Sequence, residues 1–205
     1  MKITNLALVF LLGSVQALNA QSVTIGGQIW ASDNLKVTHF RNGDAITQVT
    51  DSKEWIEKGN AHEPAWCYYN NDSTNDATYG KLYNWYAVND PRGLAPVGWH
   101  IPSYEDWMLL IDSQGGEADA GMNLKSDKGW IGEGNGTNAS GFAGMPGGKR
   151  GSFSFMFIGE LGRWWSSEST APQVSWAFGF GCKDGQAIAI GSDKSLGLSV
   201  RCLRD

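Results

Sequence analysis

The stretch that decides the fold is "VSWAFGFGCKDGQAIAIGSDKSLGLSVRCL", residues 174–203. Apolar residues alternate with small or polar ones in three short runs, and polar turns rich in Gly, Asp and Lys separate these runs. Such alternation is typical of strands whose two faces meet different surroundings. We therefore expect the three runs to form an antiparallel meander at the carboxyl end of the chain.

Two further segments upstream have strand character. "RWWSSES", residues 163–169, continues the β pattern that starts after Phe142. "SVTIGGQIWASDNL", residues 22–35, predicts a hairpin that turns at Gly26-Gly27, since a tight two-residue turn needs the positive φ that glycine tolerates. Long loops rich in Gly, Asn, Asp and Ser connect these segments.

Short helices are expected between the hairpin and the meander. Asp51 is followed three residues later by Glu54, and Ser103 by Asp106, which is the spacing of a helix N-cap. Further short helices are predicted within residues 81–90 and 115–126. The fold class is therefore α+β, with short helices, a C-terminal antiparallel β-sheet and long loops.

The first twenty residues are predicted to be a signal peptide, which leaves residues 21–205 as a single domain. Lys2 precedes the ten-residue apolar run "LALVFLLGSV", and small or neutral residues lead to Ala20. The run is too short to span a bilayer core of about 30 Å. No Cys precedes Cys67, so lipid anchoring near the cut is not expected. The prediction is a secreted, periplasmic or cell-surface protein that is not a lipoprotein.

Composition narrows the classes of partner. The net charge is −5 and no basic run occurs, which argues against nucleic acid. No second apolar segment is long enough for a membrane, so we expect no membrane insertion of the mature chain. The 10 Trp and 27 Gly predict short strands and tight turns in which large aromatic side chains supply much of the burial.

The three cysteines are Cys67, Cys182 and Cys202. In an oxidising compartment two of the three are expected to form a disulfide. Cys182 and Cys202 both end predicted C-terminal strands, and a bond between Cys67 and Cys202 is nearly as well supported. The sequence does not choose between these pairs.

No catalytic pattern emerges. His100 has no metal-ligand spacing to another His. The stretch "GWHIPSYEDW" is explained by a strand that is followed directly by a helix with its N-cap at Ser103. We expect His100 to be a packed, hydrogen-bonded structural residue. No nucleophile motif surrounds Cys67. We therefore expect no catalytic residues, and an enzyme of unknown class built on Cys67 or His100 is the least favoured alternative.

A polar loop at residues 70–76 resembles an oxygen-rich calcium loop in composition. It lacks the Gly and Glu positions of an EF-hand, and turn-forming Asn and Asp side chains explain it equally well. We expect no cofactor and no metal, with a structural calcium ion in this loop as the minor alternative.

The aromatic residues offer candidate ligand-binding positions. Trp130 stands at the head of a Gly-rich loop and is the best candidate for an exposed indole ring. Trp164 and Trp165 are consecutive on a predicted strand, so their side chains point to opposite faces and one of them should face outward. Five others are assigned to the core because most of them lie on apolar faces: Trp30, Trp85, Trp99, Trp107 and Trp176.

A set of ordered motifs identifies a family resemblance. The motifs are "TIGGQIWASDNL", "YGKLYNWYAV", "PVGWHIPSYEDW", "TNASGFAGMPGGKR", "RWWSSES" and "LSVRC". Over about residues 23–204 the chain resembles the Fibrobacter succinogenes major paralogous domain family. That family occurs in secreted and surface proteins of Bacteroidetes and Fibrobacteres, and its activity is not established. The resemblance implies a C-type-lectin-like fold, which this family is thought to share.

The sequence departs from that family in two ways. Ala95 stands where the family commonly has a Cys, so a disulfide from that position to Cys202 cannot form, and a replacement bond from Cys67 or Cys182 is implied. The acceptor cysteine of a lipoprotein is also missing. The calcium motifs of sugar-binding lectins are absent too, so calcium-dependent sugar binding is not implied.

The resemblance also implies a ligand surface. In related variable receptors, ligands contact loops around the segment that matches "WWSS" and the final meander. Carried onto this chain, the surface spans residues 167–175 and the turn 192–195. Its candidate residues are Ser167, Glu168, Gln173, Ser175, Asp193 and Lys194.

The sequence therefore predicts a non-enzymatic binding or adhesion module that is secreted or held at the surface. Its expected partner is a glycan or a surface protein, recognised through loops and exposed aromatic rings. The alternative is a structural subunit of a surface assembly, in which the same loops meet a protein.

Overall fold

The computed structural model describes residues 21–205, so the predicted signal peptide at 1–20 lies outside the described residues. The helices are α1 Ser52–Asn60, α2 Asp76–Tyr79, α3 Trp85–Val88, α4 Tyr104–Ser113 and α5 Ala120–Leu124, with short 3-10 turns at Tyr69–Asn71 and Ser73–Asn75. The strands are β1 Ser22–Ile25, β2 Gln28–Ala31, β3 Thr47–Gln48, β4 Ala65–Cys67, β5 Leu82–Tyr83, β6 Trp99–His100, β7 Gly147–Arg150, β8 Phe155–Ile158, β9 Leu161–Ala171, β10 Val174–Gly181, β11 Ala187–Asp193 and β12 Leu203–Arg204. The predicted α+β class is confirmed.

One sheet joins the beginning and the end of the domain in the order β1-β2-β12-β6. The predicted hairpin is confirmed, because β1 and β2 pair antiparallel around Gly26 and Gly27, whose φ angles are 57° and 87°. Leu203 of β12 lies opposite Trp30 on one side and His100 on the other. This sheet therefore closes the fold through contacts between residues that are far apart in sequence.

The longest strands form the sheet β11-β10-β9. The prediction of a meander is right for β10 and β11 but wrong for its third run, since β9 takes that place. Residues 197–202 leave the sheet and form isolated bridges, among them Leu198 with Tyr83 and Ser199 with Trp164. This segment has the alternating pattern of a strand because its residues contact several elements in turn, but it forms only single bridges and no continuous ladder.

Local capping begins the helices as expected. The Ser103 hydroxyl oxygen accepts from the Asp106 N–H at 3.1 Å, while the Asp106 carboxylate accepts from the Ser103 N–H at 2.9 Å. Asp51 accepts from the Glu54 N–H at 2.9 Å and begins α1. The helix predicted within 81–90 is confirmed only as the short α3, because residues 82–83 pair with β4 instead.

The apolar side chains form three buried clusters, which we call the first, second and third clusters. Trp165 belongs to the first, Trp164 to the second and Trp55 to the third. Every Trp except Trp176 is buried, as the aromatic-rich composition predicts. The indole rings thus provide the burial that the short helices cannot.

A buried cation joins the first and second clusters through Ala31 and Phe142. Arg201 is fully buried, and its Nη2 donates to the Asn34 side-chain oxygen at 2.8 Å, while its Nη1 donates to the Phe142 carbonyl at 2.6 Å. The same Asn34 oxygen accepts from the Trp164 Nε1–H at 2.8 Å. Desolvation lowers the pKa of Arg201 to about 10, which leaves the group charged at neutral pH.

The predicted disulfide is wrong, since Cys67, Cys182 and Cys202 are all free. The physical reason is their placement. Cys202 lies in the first cluster, Cys182 packs against the second and Cys67 lies in the third, so each thiol is enclosed by a different set of side chains.

Candidate functional site

A groove of about 370 Å³ lies between the loop that follows α3 and strand β9. Its apolar floor is formed by Val88, Leu94 and Ile101, and its polar rim includes Arg41, His100, Ser103 and Ser167. An apolar cavity with a few polar groups at its edge is the usual form of a small-molecule or saccharide site. We call this feature the groove.

A bulge in β9 carries Ser167 to the wall of the groove. Ser175 lies opposite Ser169 and Ala177 opposite Trp165, so the one residue Trp176 of β10 faces three residues of β9. Bulges re-aim side chains and are frequent next to functional sites. The Ser167 N–H donates to the Pro102 carbonyl at 2.9 Å, which holds the bulge against the segment that leads into α4.

Arg41 supplies a fixed cation at the rim. Its Nε and Nη2 donate to the Ala95 carbonyl at 3.1 Å and 3.0 Å, and Nη2 also reaches the Trp99 carbonyl at 3.3 Å. Residues 21–205 offer Nη1 no hydrogen-bond acceptor. The guanidinium is therefore held rigidly and keeps donor capacity for a ligand.

His100 bridges two carboxylates at the other side of the rim. Its Nδ1 lies 2.9 Å from the Asp205 carboxylate and its Nε2 lies 3.5 Å from the Asp106 carboxylate. The predicted hydrogen bonding is confirmed, but the predicted packing is wrong because the side chain is 42% exposed. Both ring nitrogens face acids, so the ring is oriented and presents its edge to the groove.

A pair of half-buried aromatic rings packs against the second cluster, whereas the floor of the groove belongs to the first cluster. Tyr104 follows the groove residue Ser103, Trp176 lies opposite the bulge, and their ring centroids are 5.1 Å apart. The sequence assigned Trp176 to the core, and the half-buried ring does pack against the second cluster. The sequence analysis missed the bulge itself, whose signal is the "SSES" run of polar residues where β9 departs from its ladder.

The two indole rings predicted to face solvent do not do so. Trp130 is only 4% exposed, and its Nε1–H donates to the Ser126 hydroxyl and the Gly144 carbonyl. Trp164 and Trp165 do point to opposite faces of β9, but both are buried, because the strand runs between the first and second clusters. The predicted exposure of Trp130 and Trp164 is therefore wrong.

The six polar residues of the predicted ligand surface divide into two groups. Glu168, Gln173 and Asp193 are exposed and Ser167 is half-buried. By contrast, Ser175 and Lys194 are buried and hold the β9–β10 turn: the Ser175 hydroxyl donates to the Glu168 carbonyl at 2.6 Å, and the Lys194 ammonium donates to the Ala171 and Pro172 carbonyls at 3.1 Å and 3.0 Å. Their side chains support the surface and are not available to a ligand.

The exposed residue Gln173 meets an aromatic stack that the sequence did not indicate. His62 and Tyr86 stack with their centroids 4.8 Å apart, and the Tyr86 hydroxyl donates to the Gln173 side-chain oxygen at 3.3 Å. Partial burial, with the charge of Asp193, raises the pKa of Tyr86. Because α3 carries both Tyr86 and the groove residue Val88, this stack extends the predicted surface toward the groove.

The thiols are poorly suited to nucleophilic chemistry. Burial raises the pKa of Cys67 to about 11 and that of Cys202 to about 12. A thiolate is the reactive form, so both groups are neutral and shielded at neutral pH.

The polar loop at 70–76 uses its side chains internally. The Asp72 carboxylate accepts from the Thr74 N–H at 2.9 Å, and the Asp76 carboxylate lies 3.0 Å from the Lys81 ammonium. Within residues 21–205 no group of three or more His, Cys, Asp or Glu side chains could hold a metal ion. The calcium ion stays an untested alternative.

Comparison with known proteins gives the family. Residues 23–204 match the sequence model of the Fibrobacter succinogenes major domain, and the chain belongs to that family. No curated protein matches the chain. Over residues 21–205, no helix combines the length and the apolar character that crossing a membrane requires.

Proposed function

We propose that this protein is a non-enzymatic binding module, secreted or held at the cell surface, that recognises a glycan in the groove. The observation that carries the proposal is the groove beside the β9 bulge, with an apolar floor of Val88, Leu94 and Ile101 and with Arg41 at its rim. The C-type-lectin-like fold belongs to the same proposal. Short helices, antiparallel sheets and long connecting segments support it.

The chemistry of the groove suits a sugar ring. One face of a pyranose is lined by C–H bonds, and this apolar face would lie on the floor formed by Val88, Leu94 and Ile101. The sugar hydroxyls would meet the free donor of Arg41 and the hydroxyl of Ser167. Hydrogen bonds to the Ala95 and Trp99 carbonyls hold the Arg41 guanidinium in place, so little ordering is needed on binding.

The state of the reactive groups supports a binding role over a catalytic one. Both nitrogens of His100 are engaged by carboxylates, and the thiols of Cys67 and Cys202 are neutral and buried. A histidine base needs a free acceptor nitrogen near its substrate, and a nucleophilic cysteine needs an accessible thiolate. His100, Cys67 and Cys202 do not meet these conditions.

The test is a glycan array followed by affinity electrophoresis in gels that contain plant polysaccharides. We expect retention by at least one polysaccharide, and about tenfold weaker binding after Arg41→Ala, which corresponds to about 1.4 kcal/mol. Phe153→Ser, at an exposed ring that does not line the groove, is the control and should bind normally. If no glycan is retained, or if Arg41→Ala binds as well as the control, the sugar-binding proposal is wrong.

A second candidate function, a subunit of a surface assembly, is favoured by one observation. The turn between β7 and β8 exposes 81% of Phe153, and the adjoining Phe157 and Ile131 are also exposed. Large apolar side chains grouped at a surface commonly mark a protein contact. This surface shares no residue with the groove.

A further inference from the structure

The outer face of the β7–β8 hairpin combines exposed apolar side chains with two cations. Phe157 is 44% exposed and Ile131 is 51% exposed. The Lys149 ammonium lies 5.5 Å from the centre of the Phe157 ring, and Arg163 is the third residue of the neighbouring strand β9. We call Ile131, Lys149, Phe153, Phe157 and Arg163 the hairpin patch.

Phe157 adopts a conformation that stability alone does not explain. Its φ angle is 67°, which is a rare value for a bulky residue and costs on the order of 1–3 kcal/mol. Phe155 and Ile158 pack against the third cluster, so the usual alternation is broken and the Phe157 ring turns toward solvent. The chain thus holds an aromatic ring in a strained, exposed position where glycine would be the more stable choice.

The two cations of the patch have no acidic partner. Among residues 21–205, neither Lys149 nor Arg163 lies within ion-pair distance of a carboxylate, and the buried Nε of Arg163 has no hydrogen-bond acceptor. Desolvation, together with repulsion from Arg163, lowers the pKa of Lys149. In a chain of net charge −5, two adjacent unpaired cations form a local site for negative charge.

The hairpin also presents an open strand edge. β8 pairs with β7 on one side only, and residues 21–205 place no strand on its other side. The sequence of β8, "FMFI", has no charged residue to protect that edge. Natural sheets usually cover or charge such an edge, because its free N–H and C=O groups can pair with another chain.

We propose that the hairpin patch binds an extended, acidic segment of a partner polypeptide, which adds a strand to the free edge of β8. The partner's backbone would pair with β8, alternate apolar side chains would contact Phe157 and Ile131, and alternate carboxylates would reach Lys149 and Arg163. Strand addition of this kind takes its affinity from the backbone and its specificity from the side chains.

Two other occupants fit less well. An acidic polysaccharide would satisfy the cations, but it has no regular row of amides to pair with the edge of β8. A second copy of this chain, paired through β8 about a twofold axis, would bring the cations of both copies onto one interface and repel.

The experiment titrates the isotope-labelled domain with a short capped peptide of alternating Val and Glu, followed by backbone NMR. The matched peptide replaces Glu with Lys. We expect shifts and slower hydrogen exchange at β8 amides with the Glu peptide only, with an affinity tighter than about 1 mM that falls as salt is added.

Variants assign the binding to the patch. Phe157→Gly should weaken binding about tenfold or more while stability is unchanged or raised, and Lys149→Glu should weaken binding without affecting the fold. Ile188→Ser alters an exposed apolar residue on β11, an edge strand of a different sheet, and this control variant should bind the peptide normally.

Several outcomes would overturn the proposal. These are equal binding of the Lys peptide, no binding of the Glu peptide at about 1 mM, or undiminished binding by Lys149→Glu and Phe157→Gly. Saturable binding of polygalacturonate in place of the peptide would make the patch an anionic glycan site. Dimerisation through β8, seen by sedimentation, would make the occupant a second copy.

Discussion

Two neighbouring cations on the inner and outer faces of the β7–β8 hairpin have opposite surroundings. Arg150 points inward and is buried: its Nη1 donates to the Val49 carbonyl at 2.6 Å, its Nη2 donates to the Asp51 carbonyl at 3.0 Å, and its guanidinium lies 4.2 Å from the centre of the Trp55 ring. Lys149, one residue earlier, points outward, and its ammonium lies 5.5 Å from the centre of the exposed Phe157 ring.

The contrast shows how scaffold and recognition surface can be distinguished. A fully buried cation is tolerated only when its donors are satisfied, and Arg150 meets that requirement with neutral carbonyls and aromatic faces. Arg201 does the same with Asn34 and Phe142. At Lys149 and Phe157, by contrast, the donors stay unsatisfied and the ring stays exposed, so these side chains add little to the stability of the fold. The partner strand proposed above would supply the missing contacts.

The largest expected effect separates the two cations. Arg150→Met should lower the free energy of unfolding by about 3–5 kcal/mol, because the buried carbonyls of Val49 and Asp51 lose their donors. Lys149→Met should stay within about 0.5 kcal/mol of the parent. Urea unfolding followed by Trp fluorescence measures both values. Equal losses would remove the distinction between the two faces.

The aromatic residues of the hairpin should show the same asymmetry. Phe155→Ala should cost about 2–3 kcal/mol, since its ring packs against Tyr69 and Arg150. Phe157→Gly should be neutral or stabilising by up to about 1 kcal/mol, because glycine relieves the positive φ. Thermal unfolding of both variants gives the comparison, and a destabilised Phe157→Gly would mean that the outer ring is structural.

The thiol beneath the inner face adds a pH dependence. Burial raises the pKa of Cys67 to about 11 from its ordinary value of 9.0, so above pH 9 the unfolded chain loses this proton before the folded one. Stability should therefore fall as pH rises, by about 2 kcal/mol between pH 8 and pH 11 from this group. The difference between the parent and Cys67→Ala isolates the effect from other buried groups. A constant difference across that range would show that Cys67 is accessible to water.

The smallest effect concerns the outer cations. Lys149→Glu replaces a repulsive neighbour of Arg163 with an attractive one and should raise stability by a few tenths of a kcal/mol at low salt. The gain should disappear in about 1 M salt, where charges are screened within about 3 Å. A gain that persists at high salt would point to a packing effect in place of the charge interaction.

The features that the sequence predicted depend on residues close together in the chain. The Ser103–Asp106 capping box joins positions three apart, and the turn at Gly26-Gly27 needs only two glycines between strands. In both cases the residue types themselves favour the local backbone geometry, so the feature can be predicted without knowledge of the rest of the fold.

The failures concern contacts that the neighbouring residue types do not indicate. Trp164 donates to Asn34 across 130 positions, and nothing near either residue announces that bond. Trp130 follows a glycine in a polar loop, yet Ser126 and Gly144 enclose it. The groove needs the bulge in β9, which alternation predicts to be regular strand. The candidate site was thus foreseen only at Ser167 and its exposed neighbours.

The position of β12 between β2 and β6 has a consequence for how the chain matures. Trp30 acquires its neighbour Leu203 only after nearly the whole domain has been synthesised. A nascent chain on the ribosome can form the β1–β2 hairpin early. The pairing of β2 and β6 with β12 cannot form until β12 has been synthesised. Folding is accordingly expected to be slow and all-or-none, because β1, β2 and β6 form a stable sheet only when β12 has paired between β2 and β6.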